Sequence, residues 1–239
     1  MTKKIINQKT KYDEEIINSI ESDFIFNDNP INRFKVTENH NETSPISKIY
    51  QIAELKKKIN SIENCNLKNN SNSLIIGEGN INSSIMIIGE APNTEEDISG
   101  TMHKGEAGDL LNRMLLAIDI KRDNVYTSYA INYKTPEDRK PTSQEIKRYS
   151  FFLKKHVSII NPKIVVAMGS TAMESLTGLN NKISSERGEW KEIIIENITY
   201  PIMITFNPSY LIRFPDNKKN SWEDLKKIKQ KICELNLKH

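Results

Sequence analysis

A chain of 239 residues with 37% hydrophobic residues can bury one core, as an α/β domain with an appendage or as two small domains. No apolar run reaches the roughly 18 residues of a membrane span, and charged residues follow the lysines near the start, so a cytoplasmic protein without a membrane partner is expected. The net charge of +3 is too small to point to nucleic acid by itself, and two cysteines exclude a disulfide framework and a structural zinc site.

Taken in chain order, Tyr12–Ser22 places Ile16, Ile17 and Ile20 on one face and predicts a helix. Phe24–Pro45 is rich in asparagine, is broken by Pro30 and Pro45, and reads as an irregular connector. A second helix is expected over Ser47–Ile62, where Ile49, Ile52, Leu55 and Ile59 recur at helical spacing; Asn66–Ser73 is a polar break. The division expected is therefore a helical extension and connector over 1–70 and a main domain over 71–239. In the main domain short apolar runs alternate with amphipathic segments. Strands are expected at Ser84–Gly89, Val125–Ile131, Lys163–Gly169 and Pro201–Phe206. Helices are expected at Gly105–Ile118, Ser143–Ile160, Ser170–Leu176 and Trp222–Leu235. Crossovers long enough to return each strand in parallel predict a three-layer α/β/α fold on a central four-stranded, mainly parallel sheet. Ligands of such sheets sit beyond the carboxyl ends of the strands, so the loops after Gly89, Ile131, Gly169 and Phe206 are the candidate site.

The most distinctive segment follows the first of these strands: Gly89-Glu90-Ala91-Pro92-Asn93-Thr94-Glu95-Glu96-Asp97. From spacing alone its carboxylates either face a ligand crevice or cap a helix on a surface loop. Further motifs follow in order: Gly105-Glu106-Ala107-Gly108-Asp109-Leu110-Leu111, then Asn161 to Gly169, then Arg187-Gly188-Glu189-Trp190. The last is Asn207-Pro208-Ser209-Tyr210-Leu211-Ile212-Arg213, trailed by Lys218, Lys219 and Trp222-Glu223-Asp224-Leu225. This succession resembles family-4 uracil-DNA glycosylases from about Asn64 to Leu225, and Tyr12–Phe34 is similar to the N-terminal extension of some bacterial members.

The resemblance implies DNA as partner and hydrolysis of the N-glycosidic bond of uracil, or another deaminated base, flipped out of DNA. It places Glu90 as the residue that positions or activates water, Ala91 as the small residue leaving room for the base, and Asn207 as donor to a base carbonyl. Glu96 and Asp97 match an acidic pair that is either catalytic or loop-capping. Ser209 and Arg213 match phosphate-contacting positions, with Arg139, Lys140, Lys218 and Lys219 as further backbone contacts. Three pocket positions depart from the family pattern: His103 stands where a phenylalanine stacks on uracil, Tyr129 where an asparagine reads its edge, and Asn207 where a histidine opens the last motif. Those departures keep an alternative open, a catalytically degenerate scaffold that binds DNA or protein. The family also holds an iron–sulfur cluster on four cysteines, and the four positions here read Ile62, Cys65, Tyr133 and Tyr149. The expectation drawn is a protein with no cofactor, its cluster volume filled by side chains. His103 has no second histidine at a ligand spacing, so no metal is expected, and nothing points to more than a monomer.

Overall fold

Four apolar runs with little alternation must be covered on both faces, and they form the middle of the sheet. In the computed structural model, which describes residues 45–237, the strands are β1 (Gly77–Gly79), β2 (Ile85–Gly89), β3 (Tyr126–Tyr129), β4 (Ile164–Met168), β5 (Trp190–Ile195) and β6 (Ile198–Thr205). Their order is β1-β3-β2-β4-β6-β5; the four central strands are parallel, and β1 and β5 close the two edges antiparallel. The helix expected over Tyr12–Ser22 and nearly all of the connector 24–45 lie outside the described residues.

The helices are α1 (Pro45–Asn60), α2 (Asn66–Asn69), α3 (Thr94–Ser99), α4 (Gly105–Leu116), α5 (Ser143–Ile160), α6 (Ser170–Thr177), α7 (Ile183–Glu186), α8 (Pro208–Arg213) and α9 (Lys218–Glu234). Successive strand residues point to opposite faces. Ile85, Ile87, Val166 and Met168 pack on one side against Leu111 and Leu115 of α4, Leu211 of α8, and Leu225, Ile228 and Ile232 of α9. Met86, Ile88, Val165 and Ala167 pack on the other against Leu153, Val157 and Ile160 of α5 and Ala172, Met173 and Leu176 of α6. These are the three layers that the sequence predicts. Local chemistry sets the ends of α5: Thr142 and Glu145 form a reciprocal cap at its start, and Asn161 takes the left-handed conformation that stops it.

The sheet has six strands where four are expected. β1 is three residues long, Gly-Glu-Gly, with no hydrophobic period to read. β5 is an edge whose exposure alternates over its last four residues, and a tight turn at Glu196 and Asn197, both at positive φ, returns it to β6. α1 and α2 lie against the β3–α5 side: Leu55, Ile59 and Leu67 are buried with Ile76, Ile131 and Tyr149. Lys48 extends from α1 to donate to the Ile160 carbonyl at 2.8 Å.

Candidate active site

Because β3, β2, β4 and β6 run in the same direction, the loops leaving their carboxyl ends gather along one edge of the sheet. They enclose a cleft of about 530 Å³ lined by residues 90–93 after β2, 135 and 138–141 after β3, 169–171 after β4, and Phe206, Asn207, Ser209, Tyr210 and Arg213 after β6.

Glu90 is half-buried and lies against the first turn of α6. Its Oε1 accepts the Thr171 N–H at 3.0 Å and the Ser170 hydroxyl at 3.3 Å, as a carboxylate at a helix start is expected to do. Oε2 takes no hydrogen bond from the described residues, so one carboxylate oxygen is anchored and the other is left for a ligand or water. Gly169 permits this approach: its φ is +102°, and a Cβ there would stand 2.3 Å from Glu90 Cδ.

Asn207 lies on the β6 side of the same cleft and caps α8. Its Oδ1 accepts the Ser209 N–H at 2.9 Å, which fixes the amide and turns Nδ2 toward the Met168 carbonyl at 3.5 Å. Ser209 and Arg213 are exposed on α8, and Lys140 is exposed on the β3 side of the cleft. Arg139 also lines the cleft, but its guanidinium is forked onto Glu145 at 2.7 and 2.9 Å. Lys218 and Lys219 are exposed on the first turn of α9 and line neither this cleft nor the hollow beside it.

That hollow, about 50 Å³, shares Ala91, Asn93, Asn207 and Ser209 with the cleft and is closed by Glu96, His103 and Tyr129. Glu96 is buried and is the hub: Oε2 accepts the Asn93 N–H at 2.9 Å, and Oε1 accepts the His103 N–H and the Tyr129 hydroxyl, both at 2.6 Å. Asn93 and Glu96 thereby form a reciprocal cap on α3. Burial and the adjacent Glu96 carboxylate push the Tyr129 phenol far up, so its one hydroxyl proton is committed to Glu96. Gly89, paired with Tyr129 across the sheet, makes room for the ring; a Cβ there would be 2.8 Å from it. His103 has a left-handed backbone, φ 57°, and its ring is tilted 43° to Tyr129 with centroids 5.9 Å apart. Burial, with the Arg122 charge nearby, lowers its pKa to about 3, so the imidazole is neutral at pH 7, and its buried Nε2 has no partner among the described residues. Asp97 faces away from both spaces. Burial raises its pKa, but hydrogen bonds from Ser71, Asn72 and Ser73 outweigh that and hold it below the usual range, tying the segment before β1 to α3.

The sequence model of the uracil DNA glycosylase superfamily matches residues 76–226, which carry every loop of this cleft. The chain belongs to the uracil-DNA glycosylase superfamily. It is 34% identical over 171 residues to a type-4 uracil-DNA glycosylase of Thermotoga maritima, covering 70% of this chain and 88% of that protein. Similar type-4 enzymes are found in Sulfurisphaera tokodaii, 32% identical over 75% of this chain and 84% of the relative, and in Archaeoglobus fulgidus, 27% identical over 73% and 90%.

Membership of the superfamily through type-4 relatives corrects one expectation. Type 4 is the family whose resemblance implies an iron–sulfur cluster, so a protein without a cofactor does not follow for this chain. Of the four residues that the resemblance sets against the cluster cysteines, Cys65, Tyr133 and Tyr149 are buried together with Ile62 packed against them; Cys65 Sγ lies 3.2 Å from the Tyr149 hydroxyl, and the two phenol rings meet edge to face. One thiol with two phenols and an alkyl group does not fit a four-thiolate donor set. Among the described residues no helix is long and apolar enough to cross a membrane.

The sequence reading missed Gly169, Ser170 and Thr171, which anchor Glu90. Their signal was present: glycine, serine and threonine where an apolar run passes into a helix, at a strand end already singled out as a place for ligands. Asn93, which lines both spaces and caps α3, was legible as the first member of an Asn-x-x-Glu capping box.

Proposed function

We propose that this chain is a DNA repair glycosylase that hydrolyses the N-glycosidic bond of uracil, or another deaminated base, in a nucleotide extruded from DNA. The observation that carries the reading is the placement of Glu90, one oxygen anchored on α6 and the other unengaged, in a cleft whose β6 side holds the Asn207 amide. A water held by Glu90 adds its oxygen to C1′ as the bond from C1′ to the base nitrogen breaks. The base leaves with the bonding pair, and the water's proton passes through Glu90 to solvent. Asn207 Nδ2–H donates to the base carbonyl where negative charge grows, an interaction stronger in the transition state than in the ground state. Ser209, Arg213 and Lys140 hold phosphates on either side, and Lys218 and Lys219 extend the cationic track. DNA is the partner, and the enzyme acts as a cytoplasmic monomer.

A second reading rests on the hollow closed by Tyr129. Its 50 Å³ is about a third of a ~150 Å³ cavity that admits benzene, and the Tyr129 hydroxyl has no free proton for a base edge. This favours either altered base preference, with the base seated toward the larger cleft and the unpartnered His103 Nε2, or a scaffold that binds DNA without cutting it. The deciding experiment measures base release from oligonucleotides carrying uracil, hypoxanthine or xanthine, in single and double strands. Glycosylase activity is expected, falling about 10²- to 10³-fold in Glu90→Gln, on the usual size of a general-base contribution. No release from any of these substrates removes the enzymatic reading. Salt-sensitive DNA binding without abasic product, unchanged in Tyr129→Asn, establishes the scaffold instead.

A further inference from the structure

Aromatic residues recur every fourth position from the end of β6 through α8: Phe206, Tyr210 and Phe214. Phe206 and Phe214 flank the helix that carries Tyr210, and the three rings lie against one another in sequence order. Phe206 is buried, with the Arg187 guanidinium over its ring, 5.5 Å from the centroid. Tyr210 stacks on Phe206 with centroids 4.9 Å apart and planes 20° apart, and it lines the cleft. Phe214 continues the column at 4.8 Å from Tyr210, with planes 38° apart, and is 51% exposed. Three rings therefore run from the core to the surface beside the cleft.

An isolated exposed phenylalanine needs no explanation. Phe214 differs in its support and its surroundings. The column beneath holds it, Pro215 follows directly, and Asn217 donates to the Tyr210 hydroxyl at 3.5 Å. Within 208–219 the charged residues are Arg213, Lys218 and Lys219 against Asp216, and all four are exposed. A rigid aromatic face among cations, continuous with a cleft proposed to hold an extruded nucleotide, matches the combination that binds unpaired nucleic-acid bases: phosphate attraction with stacking.

We propose that Phe214, backed by Tyr210, is a stacking platform for an unpaired base of DNA next to the nucleotide held in the cleft. The proposal rests on the reading of the cleft as a DNA site and adds the contact that selects the form of the DNA. Base faces are open in single strands and beside an extruded or missing nucleotide, and closed in an intact duplex. Single-stranded and abasic-site DNA should therefore engage Phe214, and fully paired DNA should not.

The test uses the full chain and a thymine oligonucleotide with one 2-aminopurine, whose fluorescence is quenched when its ring stacks. Three probes are compared: the single strand, a duplex with a stable abasic analogue opposite or next to the fluorophore, and a fully paired duplex. Expected results are quenching of the first two by the wild type, and loss of both quenching and about tenfold in affinity in Phe214→Ala, from the range for one stacked base. Phe214→Leu, which keeps apolar bulk without a π face, should stay unquenched, and Phe214→Trp should restore the signal. Unchanged affinity and quenching in Phe214→Ala overturn the platform, as does a loss confined to the fully paired duplex. Neither measurement needs bond cleavage. A wild type that releases uracil while Phe214→Ala binds normally sinks the platform alone; a wild type that quenches and binds but releases no base sinks the glycosylase reading alone. A wild type with no affinity for any of the three probes sinks both.

Discussion

At the scale of single residues, the site depends on two close approaches that only glycine allows. Gly169 at φ +102° lets the Glu90 carboxylate reach the Thr171 N–H, and Gly89 lets the Tyr129 ring lie against the end of β2. A methyl group at 169 is disfavoured by the backbone and collides with Glu90 Cδ at 2.3 Å, so Glu90 must leave its anchor. Gly169→Ala should therefore lower stability by about 1–3 kcal/mol, the usual strain of a side chain in such a conformation. It should also reduce base release nearly as far as Glu90→Gln does. Thermal melting and single-turnover base release check the two effects separately. A stable Gly169→Ala protein with full activity would remove Glu90 anchoring from the mechanism. Glu90 and Asn207 could be picked out from the sequence because they open and close ordered motifs. The partners of Glu90 are only half legible: glycine, serine and threonine at the end of β4 mark the place, but the Thr171 N–H that holds the carboxylate leaves no mark on residue type. The fate of Glu96 was open in the sequence for a similar reason. A buried carboxylate that takes one hydroxyl and two backbone N–H groups looks, as a letter, like any acidic residue near a helix start.

At the scale of elements, legibility follows burial. β2 and β4 are apolar on both faces and stand out as unbroken runs, whereas β1 has two glycines in three residues and β5 has solvent on its outer side. α3 was hidden because six residues starting Thr-Glu-Glu-Asp carry no apolar period; its cap is the readable feature. The edge formed by β5 is secured by chemistry the motif Arg187-Gly188-Glu189-Trp190 only hints at. Asp224 of α9 is fully buried, accepts the Thr205 hydroxyl at 2.6 Å and the Arg187 Nε at 2.9 Å, and is paired with the second arm of the same guanidinium. One ion pair thus joins the turn before β5, the end of β6 and α9. Truncating Arg187 leaves a carboxylate buried without its partner, which is more damaging than removing both groups together. Arg187→Ala should lose about 3–5 kcal/mol of stability, and Arg187→Met combined with Asp224→Leu should lose clearly less. Urea midpoints of the two variants decide it. Equal losses would mean that the pair contributes packing alone, with no electrostatic part.

At the scale of the whole molecule, acid should weaken the fold from within its β3 layer, close to the site. His156 is buried under the sheet, its Nε2 2.9 Å from the Tyr126 hydroxyl and its Nδ1 3.2 Å from the Ser128 hydroxyl. Ser128 donates to the Ile76 carbonyl at 2.8 Å, so its oxygen accepts from Nδ1–H, and Nε2 accepts from Tyr126. The network is satisfied by a neutral ring, and burial lowers the pKa from 6.5 to about 4. Between those values the unfolded chain binds the proton more readily than the folded one, so stability rises with pH there. The contribution is complete above about pH 6.5 and is lost progressively as pH falls toward 4; by pH 5 the loss amounts to about 2 kcal/mol. His103, lowered from 6.5 to about 3, acts in the same direction over the same window and further down; Asp97, held below its usual range, does so only at lower pH, and Asp224, raised by burial, opposes them. Tyr126 and Ser128 precede Tyr129 on the same strand, so loosening His156 also loosens the wall of the hollow that Tyr129 closes. The urea midpoint should fall steadily between pH 7 and pH 5, and His156→Gln should start lower at pH 7 but show a flatter decline. If the two proteins decline in parallel, His156 is already protonated in the folded state, and the neutral network under β3 is wrong.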